Sequence, residues 1–153
     1  MPSILDAFCF EDAGKQYGIP YRLLESIAVI ESNMNPGAFN VNRNGSFDVG
    51  LMQINSFWIK MLELNKDELV SNPCYNVMIG ANILKQCIDR YGFNWEAVGC
   101  YNATDSQKKI KYSWKIFQKL KNKEKHQMIQ RGSCMAPAPV PALLFSVKDK
   151  YEE

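Results

Sequence analysis

Glu31 departs from the pattern of its neighbours. Leu23, Leu24, Ile27 and Ala28 recur at helical spacing, and Glu31 follows Ile27 by four residues and Leu24 by seven, which puts a carboxylate on an apolar helix stripe. Taking a carboxylate out of water is costly, and the last turn of a helix disfavours negative charge, so both effects raise its pKa. A carboxylic acid that keeps its proton near neutral pH can hand it to a departing sugar oxygen, the step that glycosidic cleavage requires. The same position also suits a glutamate satisfied by a local Ser or Arg, or one turned to solvent at a frayed helix end.

Other chemistries have less material. The five cysteines, Cys9, Cys74, Cys87, Cys100 and Cys134, form no CxxC pair and His126 is the single histidine, so no metal site is expected. A disulfide in an oxidising compartment is the better use of two cysteines, and an odd count leaves at least one thiol unpaired. Cys87 and Cys100 read as buried small apolar filler.

Glu31 needs a scaffold, and local signals outline a helical one. Pro20 opens the helix that carries Glu31, which should end near Ser32, because Asn35-Pro36-Gly37 forbids continuation. Val41 to Val49 around Asn44-Gly45 predicts a β-hairpin with a tight two-residue turn, the one convincing strand signal. Asn55 or Ser56 can cap a helix through Phe57, Trp58, Met61 and Leu62. Asn72-Pro73 starts a longer helix through Val77, Ala81, Leu84 and Ile88, closed by Gly92. Asn94 can cap a short one, Trp95 to Tyr101, and a last helix from about Ser106 carries Ile110, Trp114, Phe117 and Leu120 on one side and lysines on the other. Beyond Gly132 the Pro- and Ala-containing stretch Ala136 to Pro141 predicts a flexible tail. The fold class is α+β, mostly α, with one small hairpin.

The chain has 153 residues, 46% hydrophobic and 22% charged, which fits one globular domain with one site. A formal charge of +2 argues against nucleic acid as a partner, and no apolar run reaches the roughly 20 residues of a membrane span. The first residues lack the basic start and long apolar run of a signal peptide, so an exported protein would have had its targeting segment removed or replaced.

Three blocks, Glu31-Ser32-Asn33-Met34-Asn35-Pro36-Gly37-Ala38, Gly50-Leu51-Met52-Gln53-Ile54-Asn55 and Ala97-Val98-Gly99-Cys100-Tyr101-Asn102-Ala103, resemble in order and spacing the signatures of soluble lytic transglycosylase domains. The resemblance runs from about Cys9 to Leu120. It is nearest to the short specialised members that accompany type III secretion systems and pili, and it implies a lysozyme-like fold. By that resemblance Glu31 is the catalytic acid and base, acting first on the glycosidic oxygen and then on the 6-hydroxyl of muramic acid. The implied product is a 1,6-anhydro sugar, formed without cofactor. Ser32, Met52, Gln53, Asn55, Tyr101 and Asn102 are implied as substrate-binding residues, and Cys9 with Cys74 as a disulfide.

Gly50 to Asn55 makes physical sense as a turn bringing backbone near a sugar, with Met52 as soft packing and Gln53 bonding in both directions, although it also reads as an ordinary hairpin-to-helix joint. Tyr101 also fits a core aromatic. Two departures stand out: Thr104-Asp105-Ser106 runs directly into the last helix where the family carries Gly and a short insertion, and Asp48 precedes the second block. Asp48 resembles an aspartate of the secretion-associated subgroup and is a candidate second catalytic carboxylate of lysozyme type, or an acid that tightens the hairpin. The lysines at 108, 109, 111, 115, 119, 121, 123 and 125 could meet anionic peptidoglycan stems or a partner, although such a run more often reads as a solvated helix face. The expected organisation is an extension over 1–8, a transglycosylase domain over 9–128 and a tail over 129–153. The expected partner is the peptidoglycan glycan strand, with secretion or pilus components beside it, acting as a monomer in the periplasm or beyond. A peptidoglycan-binding assembly module without turnover is the competing reading.

Overall fold

The computed structural model describes residues 8–131, with side chains as far as residue 127. Most of the expected N-terminal extension and the segment beyond 131, including Cys134, lie outside the described residues. The described residues divide into two compact units, one up to Lys85 and one from Gln86. The fold is the mostly α, α+β class expected.

In the first unit, helix α1 (Phe10–Tyr17) stops at Gly18, whose φ of 66° is left-handed. Gly14 lacks a side chain where a Cβ would stand 2.6 Å from the Ile19 carbonyl oxygen, so the chain can fold back tightly into α2 (Tyr21–Ser32). Leu23, Leu24, Ile27 and Ala28 are buried on α2. Strands β1 (Phe39–Val41), β2 (Phe47–Val49) and β3 (Ile54–Asn55) form an antiparallel sheet in that order, with Asn40 opposite Asp48 and Asp48 opposite Asn55. Helix α3 (Ser56–Met61) follows β3 directly, α4 (Lys66–Ser71) is capped by Asn65, and α5 (Pro73–Tyr91) begins at the expected Asn72-Pro73. Cys9 and Cys74 are joined, tying the start of α1 to that of α5. A closed loop of 65 residues stabilises by roughly 4 kcal/mol through the lost freedom of the unfolded chain.

The second unit holds the last turns of α5, then α6 (Trp95–Asn102) and α7 (Ser106–Arg131). Gly92 ends α5 with φ 81° and Asn94 caps α6 by accepting from the Ala97 N–H at 3.1 Å. A Cβ on Gly99 would meet Lys109 Cβ at 2.6 Å, so this glycine lets α6 and α7 pack backbone to backbone.

Several expectations change. The hairpin turn is wider than two residues: Asn42 N–H donates to Ser46 O at 2.7 Å and Gly45 takes φ 83°, so Arg43, Asn44 and Gly45 make the bend. The sheet has a third strand, because β3 pairs with β2. Cys87 and Cys100 are not apolar filler but a disulfide, with Cα atoms 5.8 Å apart where α5 and α6 meet. On α7 the inner face is Lys109, Tyr112, Ser113 and Ile116, whereas Ile110 is 46% and Trp114 52% exposed. Lys109 can face inward because its Nζ donates to the Tyr91 hydroxyl at 3.1 Å and stands 4.0 Å from a Glu96 carboxylate oxygen. That hydrogen bond also holds the Tyr91 phenol below its usual pKa.

Candidate functional site

Glu31 is the penultimate residue of α2 and is half-buried, beyond the fully buried Leu24 and Ile27. The chain then leaves the helix through two consecutive left-handed residues, Asn33 (φ 53°) and Met34 (φ 64°). Each such non-glycine residue costs on the order of 1–2 kcal/mol, and strain of this kind persists where neighbours enforce it. Ser32 does so: its hydroxyl donates to Leu51 O at 2.7 Å and accepts from Asn35 N–H at 3.1 Å.

The Gly50 block is held against this joint. Gly50 has φ 78°, and its N–H donates to Ala38 O at 2.8 Å. Gln53 is also left-handed, at φ 50°. Its amide nitrogen donates to Gly50 O at 2.9 Å and Ala38 O at 3.3 Å, while its Oε1 accepts from Asn40 Nδ2 at 2.6 Å. Two of the three signature segments are thus stitched into one structure beside Glu31, and three of the five non-glycine positive-φ residues among those described fall within them.

Met52 takes its packing reading and not the substrate-binding one. It is fully buried and packs on Gly80, where a Cβ would come within 2.9 Å of it, so its side chain supports the block from beneath and offers a sugar no surface. Asn55 caps α3 by accepting from Phe57 N–H at 2.9 Å, and its amide nitrogen donates to Asp48 Oδ1 at 2.7 Å. Asp48 Oδ2 accepts from Asn42 Nδ2 at 2.9 Å. Both carboxylate oxygens therefore hold the sheet and its loop together, as expected of an acid that tightens a hairpin.

Asn76 escaped the sequence reading. It is fully buried on α5, accepts from Met52 N–H at 2.8 Å and donates to Val49 O at 3.1 Å and Leu69 O at 3.0 Å. One amide thereby satisfies three backbone groups around the Gly50 turn. Its signal was the one that marked Glu31, a polar residue in line with Gly80, Ile83 and Cys87 on an inward helix face.

The third segment lies in the second unit. Tyr101, half-buried, and Asn102, exposed, occupy the last turn of α6 directly after Cys100, so the Cys87–Cys100 bond anchors that turn to α5. No group of His, Cys, Asp and Glu suited to a metal ion occurs among the described residues, and no helix there is long and apolar enough to cross a membrane.

Most of the chain is similar to known proteins. Residues 8–126 match the family described as the transglycosylase SLT domain. The chain is 42% identical over 137 residues to invasion protein IagB of Salmonella typhi, an alignment covering 83% of this chain and 86% of that protein. It is 43% identical over 126 residues to protein IpgF of Shigella flexneri, covering 78% and 83%. A peptidoglycan-binding-like protein of Escherichia coli O157:H7 is 40% identical over 129 residues, covering 75% and 77%.

Proposed function

Because this chain belongs to the transglycosylase SLT domain family, we propose that it cuts the β-1,4 bond between N-acetylmuramic acid and N-acetylglucosamine in peptidoglycan, leaving a 1,6-anhydro end. The observation that carries the proposal is the half-buried Glu31 at a strained helix end, riveted through Ser32 to the Gly50 block. The protonated carboxyl gives its proton to the glycosidic oxygen as the bond to muramic acid C1 breaks. The carboxylate then takes the proton of that sugar's 6-hydroxyl, whose oxygen bonds to C1. The glutamate ends as it began, protonated, and the substrate supplies its own nucleophile at high effective concentration. Gln53, Asn55, Tyr101 and Asn102 are proposed to hold the sugars, with Ser32 and Met52 shaping the backbone around them.

Mass spectrometry of muropeptides released from purified sacculi tests the reaction. Anhydro-muramic ends are the expected product. Reducing ends would replace it with hydrolysis, and no release at all would leave a binding module.

Hydrolysis would call for a second working carboxylate, and Asp48 is the candidate. We assign it a structural part, because Asn42 and Asn55 occupy both of its oxygens. An asparagine at 48 would turn an N–H toward one of those two donors. Asp48→Asn is therefore expected to lose about 1–2 kcal/mol of stability, seen as a lower melting temperature, with turnover within about threefold of wild type. A ten- to thousandfold fall in rate at an unchanged melting temperature would return Asp48 to the chemistry, since each tenfold is about 1.4 kcal/mol.

We further infer a periplasmic or exported location, in keeping with two disulfides among the described residues. Local wall cutting for a secretion apparatus or pilus is the role that suits relatives named as invasion proteins.

A further inference from the structure

Helix α7 runs for 26 residues, about 39 Å. Residues 106–127 contain eight lysines and one acid, Glu124, although the whole chain is only +2, so the rest of the protein is net negative. Lys109 is turned inward and accounted for. Lys108, Lys111, Lys115 and Lys119 are not on that inner face, and their spacing of three, four and four residues draws them into one row about 16 Å long.

This row works against its own helix. Lys111, Lys115 and Lys119 stand at successive i, i+4 positions, where like charges repel, and the acid that the helix dipole favours, Asp105, which accepts from the Lys108 N–H at 3.0 Å, sits at the cap and not among them. A solvent-facing helix laced with salt bridges alternates the sign of its charges, and this row does not. Beside the row, at the neighbouring i, i+4 positions, Ile110 and Trp114 are about half exposed, and Trp114 leans on Phe117 with ring centroids 5.2 Å apart. Cations in line next to an exposed indole suit a polymer that carries carboxylates and presents apolar ring faces.

We propose that this outer face of α7 binds the carboxylate-bearing peptide stems of uncut peptidoglycan, with Trp114 against the adjoining sugars, and so anchors the protein to the wall independently of the cutting site. The inference rests on peptidoglycan being the substrate, not on turnover. An anchoring face raises the time spent near the polymer and leaves the chemistry to Glu31. Its attraction is ionic and weakens as salt shortens the Debye length.

The test is cosedimentation with purified sacculi in the Glu31→Gln background, which removes cutting. Replacing Lys108, Lys111, Lys115 and Lys119 together by Gln should weaken retention at least about fivefold at low salt, four modest surface contacts being lost. Replacement by Arg should preserve it. Sacculi stripped of stems by an amidase should bind the unsubstituted helix as weakly as intact sacculi bind the Gln variant. Undiminished retention of the Gln variant, or undiminished binding to stripped sacculi, would overturn the proposal. So would tighter, lysine-dependent binding to phosphatidylglycerol vesicles than to sacculi, which would assign the face to lipid. If wild-type protein released no muropeptides yet the lysine dependence held, the proposed reaction would fail and the anchor would stand.

Discussion

Glu31→Gln should abolish sacculus clearing, with a loss of about a thousandfold or more, while the protein stays folded. One side chain serves as both acid and base, and general acid–base catalysis contributes roughly 10²–10⁴-fold for each such group. Glutamine keeps the shape of glutamate but has no proton to give at neutral pH and no base to recover it. Glu31 is half-buried at a helix end, so an isosteric amide should move the melting temperature by only a few degrees. The measurement pairs muropeptide release with a thermal melt on one preparation. A folded variant that clears sacculi at the wild-type rate would remove Glu31 from the mechanism.

The other large effect is expected at Gly50. Its φ of 78° is strained for any L side chain, and a Cβ there would overlap the Asn76 amide and stand 2.9 Å from Leu69 O. Gly50→Ala should therefore destabilise the protein by about 3 kcal/mol or more, lowering the melting temperature by roughly 10 °C, and should lose activity as the Gln53 turn is displaced. Gly45→Ala is the matched comparison, because φ is 83° there too but nothing lies within 4 Å of the added carbon. It should lose only about 1 kcal/mol. Equal effects at the two glycines would mean that backbone conformation alone, and not the Asn76 cradle, sets the requirement at position 50.

These two positions also mark what was legible in the sequence. Glu31 and the Gly50 block could be seen because each departs from a local rule, and Asn55, Pro73, Gly92 and Asn94 announce helix ends within one turn of themselves. The local cap of α4 was as plain, with Asn65 accepting from the N–H groups of Asp67 and Glu68, and was passed over. Long-range features were hidden. Nothing near Cys87 names Cys100 as its partner, nothing near Ile54 announces that two residues will join β2, and Asn76 serves backbone groups 7 to 27 residues away. On α7 the period was right and the face was wrong, because Ile110 and Trp114 outscore Lys109 and Ser113 on hydrophobicity. Ser113 is satisfied inside by donating to Trp95 O at 2.7 Å. Glu25 teaches the same lesson from the other side: it is 6% exposed, deeper than Glu31, yet no stripe singled it out.

If the protein is exported as proposed, the order of the two disulfides among the described residues bears on how it matures. Cys9 pairs with Cys74 and Cys87 with Cys100, so the bridges are neither nested nor interleaved. A chain threaded through a membrane N-terminus first delivers these four thiols to the far side in that sequence, and each native bond joins the two that arrive in succession. Simple oxidation in order of arrival then produces the native pairing. Shuffling by an isomerase, which interleaved bridges would demand, is not required, and the first closed ring can form while the second pair of thiols is still in transit.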